Sequence, residues 1–424
     1  MQSLTLNTVK LKVPGKVMIA GEWNILEEKH SCLAFAINNY AECSIHKSER
    51  FSISFPNLSF FSYFEFANGK IILLVDNLNG NSNTVDNAKN FSTAFNAIET
   101  SMQYLMQHLK ENNYLNKNLN KDITPFITPF SLVVDTSSFY ISSHNTLISG
   151  YTPKQEYNHK QNYKLNHKQK IGLGSSSASL IGIIGSILAF HGFSFETYDH
   201  KLFLFKLSCI ADISLNGISG SYYDLATSVF GGVVEYTLFD REWLKHSIKL
   251  MSITELVACN WPFLEIKQLD LSLPYFLLCY SGQESSTQHL IQKIILTAKT
   301  EPVEYARLMK KINSVVEHCV TSLQKKDIDS FMNSILLNRK LLLLLQDLSR
   351  VQLETDSLNE IITLAITHHG VGKFSGAGGG DIALLFFKDI ISLSNSKKAL
   401  LENGFILLNL SLDSRGIFIS HQES

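Results

Sequence analysis

No two of the six cysteines in this 424-residue chain form a CxxC pair. Scattered at Cys32, Cys43, Cys209, Cys259, Cys279 and Cys319, they argue for free, reduced thiols rather than a disulfide framework or a zinc site. A basic start followed by an apolar stretch is also lacking. Residues 1–12 alternate polar and apolar side chains, so no signal peptide is expected. The longest apolar runs, 180–193 and 341–345, are too short or too interrupted to span a bilayer. Nor is there an excess of one charge: 37 Lys and Arg against 38 Asp and Glu leave a formal net charge of −1. A protein built to coat nucleic acid would be more basic. These absences predict a cytoplasmic protein that binds no membrane and no nucleic acid; a monomer or homodimer is expected. Any anionic ligand must then be held by a local constellation rather than by the overall field.

What is present is ordinary for a folded chain with a sizeable core: 45% hydrophobic and 18% charged residues. Length suggests two or three domains. No repeat of fixed period is visible. Segments 111–122 and 151–170, rich in Asn, Lys, Gln and Tyr, can bury little and are expected to be surface excursions. Strand patterns occur at 13–20, 41–45, 51–66 (one or two strands) and 130–135. Helical patterns mark 91–111, 301–325 and 327–349, and a mostly apolar helix is expected at 175–191 with another at 197–212. Two strand-like runs follow residue 242, and a last pair, 382–387 and 405–412, closes the chain. Strands and helices do not alternate regularly, which favours α+β. A boundary near 238–246 divides the chain into 1–240 and 241–424.

The segment richest in chemistry is Lys170-Ile-Gly-Leu-Gly-Ser-Ser-Ser-Ala-Ser179, which runs directly into an apolar helix. Two glycines let the backbone approach a ligand, and Gly174 can take positive φ. The serines sit where a helix begins, with unpaired N–H groups and the positive end of the dipole facing out, a site suited to phosphate oxygens. A serine hydroxyl there can also join the oxygen ligands of a phosphate-bound magnesium. Walker A is absent, and the dinucleotide fingerprint fails because Ser177 stands where its third glycine belongs. A serine cap on a buried helix, with the glycines serving only a turn, accounts for this segment alone equally well.

Two further elements accompany it. Val13-Pro-Gly-Lys-Val-Met-Ile-Ala-Gly-Glu-Trp23 reads as a strand with Lys16 near its start. Lys373-Phe-Ser-Gly-Ala-Gly-Gly-Gly-Asp381 places four glycines in five residues before a strand, where the main chain passes close to something. In this order the three elements resemble the three sequence motifs of the GHMP kinases (galactose, homoserine, mevalonate and phosphomevalonate kinases). Further segments are similar to the phosphomevalonate kinases, above all the bacterial type: Gly220-Ser-Tyr-Tyr-Asp-Leu-Ala-Thr-Ser-Val-Phe-Gly-Gly232, Trp261-Pro-Phe-Leu-Glu-Ile266, Tyr280-Ser-Gly-Gln-Glu-Ser-Ser-Thr287, and Asn338-Arg339 through 353–355 to Lys373. The resemblance covers most of the chain and is weakest at 46–130 and 151–169. The third motif continues Asp381-Ile-Ala, where that branch has a cysteine and a glycine.

The resemblance implies an α+β fold in which a ribosomal-protein-S5-like N-terminal domain packs on a ferredoxin-like C-terminal domain, with the active site between them. It implies an ATP- and Mg2+-dependent transfer of the γ-phosphoryl group to 5-phosphomevalonate. By the same resemblance Lys16 and Asp224 are the catalytic positions. Lys170, Gly172, Leu173, Gly174, Ser175, Ser176 and Ser177 would hold the nucleotide, with Ser176 on the metal. Ser221, Ser285, Ser286, Thr287, Gly376, Gly378, Gly379 and Gly380 would face the acceptor. Plainer readings stand beside these. Asp224 suits a helix N-cap, and 285–287 suits a polar turn. Lys16, Lys170 and Lys373 could carry substrate anions or simply be solvated. His368 and His369 point apart and suit a helix end before Gly370, and Trp261 suits the core. Mevalonate kinase is the neighbouring alternative; a nucleotide-binding relative without chemistry is the alternative from another class.

Overall fold

Val9, Leu11 and Val13 are fully buried and alternate with Lys10 and Lys12, and this period-two pattern begins the long strand β1 (Thr8–Ala20). The structure, a computed structural model, describes residues 6–67, 69–74, 91–111, 127–141, 146–147, 169–218, 220–283 and 287–423. Next come β2 (Ser31–Lys47), β3 (Phe51–Phe55), β4 (Phe60–Ala67), β5 (Lys70–Leu74), β6 (Phe130–Asp135) and β7 (Thr146–Leu147). Later strands are β8 (Val233–Thr237), β9 (Glu265–Leu269), β10 (Tyr275–Tyr280), β11 (Val371–Phe374), β12 (Ile382–Phe387), β13 (Ile406–Leu408) and β14 (Phe418–Glu423).

The first sheet runs β14-β1-β2-β6-β3-β4-β5, with β8 and β9 branching from β2. The branch arises because β2 is long enough to share its far edge: residues 31–35 pair with β8 and residues 42–47 with β6. Four helices belong with this sheet: α1 (Ser92–Glu111), α2 (Ser175–Phe190), α3 (Tyr198–Asn216) and α4 (Tyr223–Phe230). Every residue of α2 from Leu180 to Phe190 is buried, since it packs on β1 and β2 and is enclosed by α1, α3 and α4. A helix apolar on all sides is stable only in such a place.

Two short helices, α5 (Arg241–Ser247) and α6 (Ile253–Ala258), lead to the second half. There the sheet β11-β12-β10-β13-β7 is antiparallel throughout. The helices of this half are α7 (Thr287–Thr300), α8 (Pro302–Gln324), α9 (Ile328–Ser349), α10 (Asp356–Thr367) and α11 (Ile390–Glu402). The α+β expectation therefore holds. No described helix is long and apolar enough to cross a membrane.

Several expected elements change extent. The pattern at 41–45 is only the end of β2, which pairing with β1 and β8 extends back to Ser31. The run 405–412 shortens to β13, because only 406–408 find a partner in β10. Helix α3 runs on to Asn216 and is closed by Gly217 at φ +70°. The last strand is β14, whose polar sequence FISHQE hides an edge pairing with β1. The sheets also interleave across residue 240: β9 and β14 come after it yet join the first sheet, and β7 precedes it yet joins the second. Segments 111–122 and 151–170, expected as surface excursions, lie outside the described residues apart from Glu111, Gln169 and Lys170.

Candidate active site

Lys16 sits between two irregularities of β1, at Pro14/Gly15 and at Met18/Ala20. Strand β14 pairs with β1 only over 8–12, so beyond it the β1 edge is open to another partner. The glycine-serine loop takes that place: the Lys16 amide donates to the Leu173 carbonyl at 2.9 Å. The loop is held from its other side by 139–141, where the Ile141 amide donates to Gln169 and the Ile171 amide to Phe139. A proline tolerated only where no ladder bond is needed, followed by a glycine at a bulge, thus aims one lysine at the loop.

Gly174 begins α2 at φ +89°, and no side chain caps that helix end. By contrast Thr197, Asp240, Ser252, Asp327, Thr355 and Asp389 each cap their helices by accepting a backbone N–H. The first N–H groups of α2 are left for a ligand. The Lys16 stem lies across Gly174, where a Cβ would meet its Cγ and Cε at 3.2 Å. Gly174→Ala is therefore expected to cost about 1–2 kcal/mol in backbone strain and to weaken nucleotide binding as Lys16 is displaced. Chemical denaturation and calorimetric titration with ATP measure the two effects.

Helix α4 brings the acidic partner. Tyr222, at φ +57°, is its N-cap, so the capping reading for Asp224 does not hold; Asp224 is the second helical residue. Its carboxylate accepts a hydrogen bond from the Ser177 hydroxyl, and its other oxygen accepts from the Leu225 amide at 3.0 Å. The Lys16 ammonium lies 5.3 Å from the centre of the Tyr223 ring and 3.5 Å from the Gly172 carbonyl. Burial pushes its pKa down, but Tyr223, Asp224 and Asp381 outweigh that and hold it above the ordinary 10.5. Burial raises the Tyr223 phenol, and the Lys16 charge offsets only part of the rise. Lys16 thus stays a full cation, and Tyr223 a neutral phenol, at neutral pH.

The other expected residues fall out unevenly. Ser175 is buried, Ser177 is committed to Asp224, and Ser176 is exposed at the start of α2. Lys170 bridges Tyr140 through its backbone and has an exposed side chain. Ser221 is half-buried ahead of α4. Ser285 and Ser286 lie outside the described residues, and Thr287 opens α7. In the third element Gly376, Gly378, Gly379 and Gly380 all have positive φ, so the run is glycine-rich for conformation first. The space beside Gly378 is filled by the Leu353 carbonyl, which also accepts from the Gly379 amide at 2.6 Å.

Lys373 is a correction. It is fully buried and ion-paired with Glu22, itself bonded by the Asn338 amide at 3.0 Å, so it cannot carry a substrate anion. This pair joins the end of β1 to β11. Ser375 strengthens the join, its hydroxyl accepting from the Met18 amide at 2.9 Å and donating to the Met18 carbonyl at 3.1 Å. Removing one charge strands the other, so Glu22→Gln is expected to cost about 3–5 kcal/mol in chemical denaturation. A Glu22→Met/Lys373→Met double variant should regain most of the loss; a double variant no better than the single would contradict the pairing. Trp261 is buried as expected, its indole donating to the Leu256 carbonyl at 2.8 Å and its ring meeting Phe239 edge-on.

Composition patterns missed three participants. Tyr223 adjoins the singled-out Asp224, and Asp381 ends the glycine run, so both stood in plain sight. Glu22 belongs to the first element but shows its role only through a partner 351 positions away. Among the described residues no group of three His, Cys, Asp or Glu side chains could hold a metal alone. The glycine cradle and uncapped helix do fit a phosphate chain, and a magnesium ion would need that chain's oxygens beside Ser176 and Asp224.

No protein-family model matches the chain. A phosphomevalonate kinase from Streptomyces sp. (strain CL190) is 28% identical over 220 residues, 51% of this chain and 58% of that enzyme, so the match spans little more than half of the relative. The crystal structure of a Lin0012 protein from Listeria innocua superposes with a TM-score of 0.77 at 24% identity, covering 98% of this chain and 100% of that one. Streptococcus pneumoniae phosphomevalonate kinase, in complex with phosphomevalonate and AMPPNP, superposes with a TM-score of 0.70 at 20% identity, covering 96% and 99%. The chain thus has the α+β fold of the GHMP kinases and is similar in sequence to phosphomevalonate kinases.

Proposed function

We propose that the chain is a phosphomevalonate kinase, moving the γ-phosphoryl group of ATP to the phosphate of 5-phosphomevalonate and giving 5-diphosphomevalonate and ADP. One observation carries the reading. Lys16, the uncapped start of α2 and Asp224 come from three separate stretches of sequence and meet within hydrogen-bonding reach of one glycine loop. Phosphoryl transfer asks for little else than in-line placement and neutralised charge.

In this reading the bond from the γ-phosphorus to its bridging oxygen breaks as an oxygen of the acceptor phosphate forms the new one. The α2 amides and the Gly172–Ser177 backbone hold the phosphate chain. Lys16 offsets the negative charge of the transferring group, and Ser177 fixes Asp224 beside it. Magnesium, when bound, would neutralise phosphate charge, with Ser176 and Asp224 the side chains placed to hold it. Ser221, Thr287 and the glycines at 376–380 are the acceptor side of the cleft in the same proposal, which treats 1–240 and 241–424 as its two working units. A cytoplasmic monomer or homodimer belongs to the same proposal.

A second reading has one observation in its favour: a carboxylate beside the lysine, Asp224, also suits a hydroxyl acceptor, as in mevalonate kinase. A coupled ADP-release assay with ATP and magnesium separates the two by offering mevalonate, 5-phosphomevalonate and several sugars in parallel. Turnover with 5-phosphomevalonate alone is expected. Turnover with mevalonate or a sugar instead would move the substrate assignment and keep the phosphate site.

A further inference from the structure

A carboxylate is out of place at a site for phosphate, yet Asp381 is pressed against the phosphate loop. A Cβ added to Gly172 would meet Asp381 Cγ at 2.6 Å and its Cβ at 3.0 Å, so Gly172 is the residue that admits it. Asp381 is also held in the left-handed region at φ +59°, where a residue with a side chain is strained. Both its flanks are pinned by the chain leaving β10: its amide donates to Gln283 at 2.8 Å, and its carbonyl accepts from Ser281 at 2.8 Å. Strain kept in place by two backbone bonds, at the seam between the halves, calls for a reason.

We propose that Asp381 is a positioning residue: carried in from the second sheet, its carboxylate holds Lys16 and the Gly172 turn in the arrangement that receives phosphate. Among the described residues, Lys16 has the Gly172 carbonyl at 3.5 Å and the Tyr223 ring centre at 5.3 Å, and it feels the charges of Asp224 from α4 and of Asp381 from the C-terminal half. Acting on a bound phosphate directly, the carboxylate would only repel it. Acting on the lysine, it adds to the field that favours the ammonium and ties the glycine-rich turn to the phosphate loop. Its contribution to the raised Lys16 pKa has the sign this requires.

The kinetic arm of the test rests on the proposed phosphoryl transfer; a second arm does not. Asp381→Asn keeps the shape and removes the charge, whereas Asp381→Gly removes the carboxylate and also relieves the left-handed strain. In both variants the pH dependence of Lys16 acylation by an amine-reactive reagent, read by peptide mass spectrometry on the free protein, should move to lower pH. Asp381→Gly should unfold at the same temperature as the wild type or higher, yet both variants should lose about tenfold in kcat, with KM for ATP changing far less. Wild-type Lys16 titration and wild-type kcat in Asp381→Gly would overturn the proposal. A kcat loss that comes with a raised magnesium requirement and an unmoved Lys16 titration would overturn it too, in favour of a metal ligand. If the wild type transfers phosphoryl to no acceptor, the functional reading fails, and the Lys16 titration alone decides for or against Asp381.

Discussion

Lys16→Met is expected to lower kcat by about 10³-fold or more while leaving the thermal midpoint nearly unchanged. The methionine keeps the apolar stem that lies across Gly174 but removes the cation that faces the loop. Lys373 does not compensate, because it is locked in the buried pair with Glu22. The effect should fall on kcat more than on KM for ATP, since the amides of α2 still hold the phosphate chain. The pH dependence follows from the same contacts. Burial lowers the Lys16 pKa, but Tyr223, Asp224 and Asp381 hold it above 10.5. The active form is the ammonium, so activity should persist above neutral pH and fall as pH rises through that raised value. Steady-state kinetics across pH 6–11 with a thermal melt check both halves; a loss below about tenfold would remove Lys16 from the chemistry.

Asp224→Asn carries the second-largest expected loss, about 10²-fold in kcat. The question is what the carboxylate does. With a hydroxyl acceptor it would take the proton of the attacking group. A phosphate monoester, with its second pKa near 6, is already largely dianionic at neutral pH and needs no base. Asp224 then serves by holding Ser177 at the start of α2 and by facing Lys16. An asparagine keeps the shape and loses the charge, so raising the pH should not restore turnover; it should make matters worse as the less well-held Lys16 loses its proton. Full recovery at alkaline pH would instead mark Asp224 as a proton acceptor and favour a hydroxyl substrate.

The parts of this site that were legible in the sequence are those whose geometry is local. A glycine at positive φ, serines at a helix start and a lysine after Pro-Gly each write their conformation into a few adjacent residues. The long helices α8 and α9 were legible for the same reason, since the 3.6-residue spacing of apolar positions persists over many turns. Helix α7 was not, because Ile291, Ile295 and Leu296 are exposed and blur the polar face that periodicity needs. Strand β14 was hidden by its polar, edge-facing sequence. The Glu22–Lys373 pair and the contact of Asp381 with Gly172 depend on partners hundreds of positions apart, which no local pattern encodes. Lys373 shows the cost: a lysine beside a glycine loop reads as an anion binder until burial reveals it as half of an ion pair.

The most direct test of the account is to follow phosphorus itself. Phosphorus NMR of the wild-type protein with ATP, magnesium and 5-phosphomevalonate should show the monoester resonance replaced by a coupled pair from a new P–O–P linkage, as ADP accumulates. With mevalonate in its place no new monoester should grow. A monoester signal rising from mevalonate, with 5-phosphomevalonate left untouched, would contradict the assignment of a phosphate acceptor to this site.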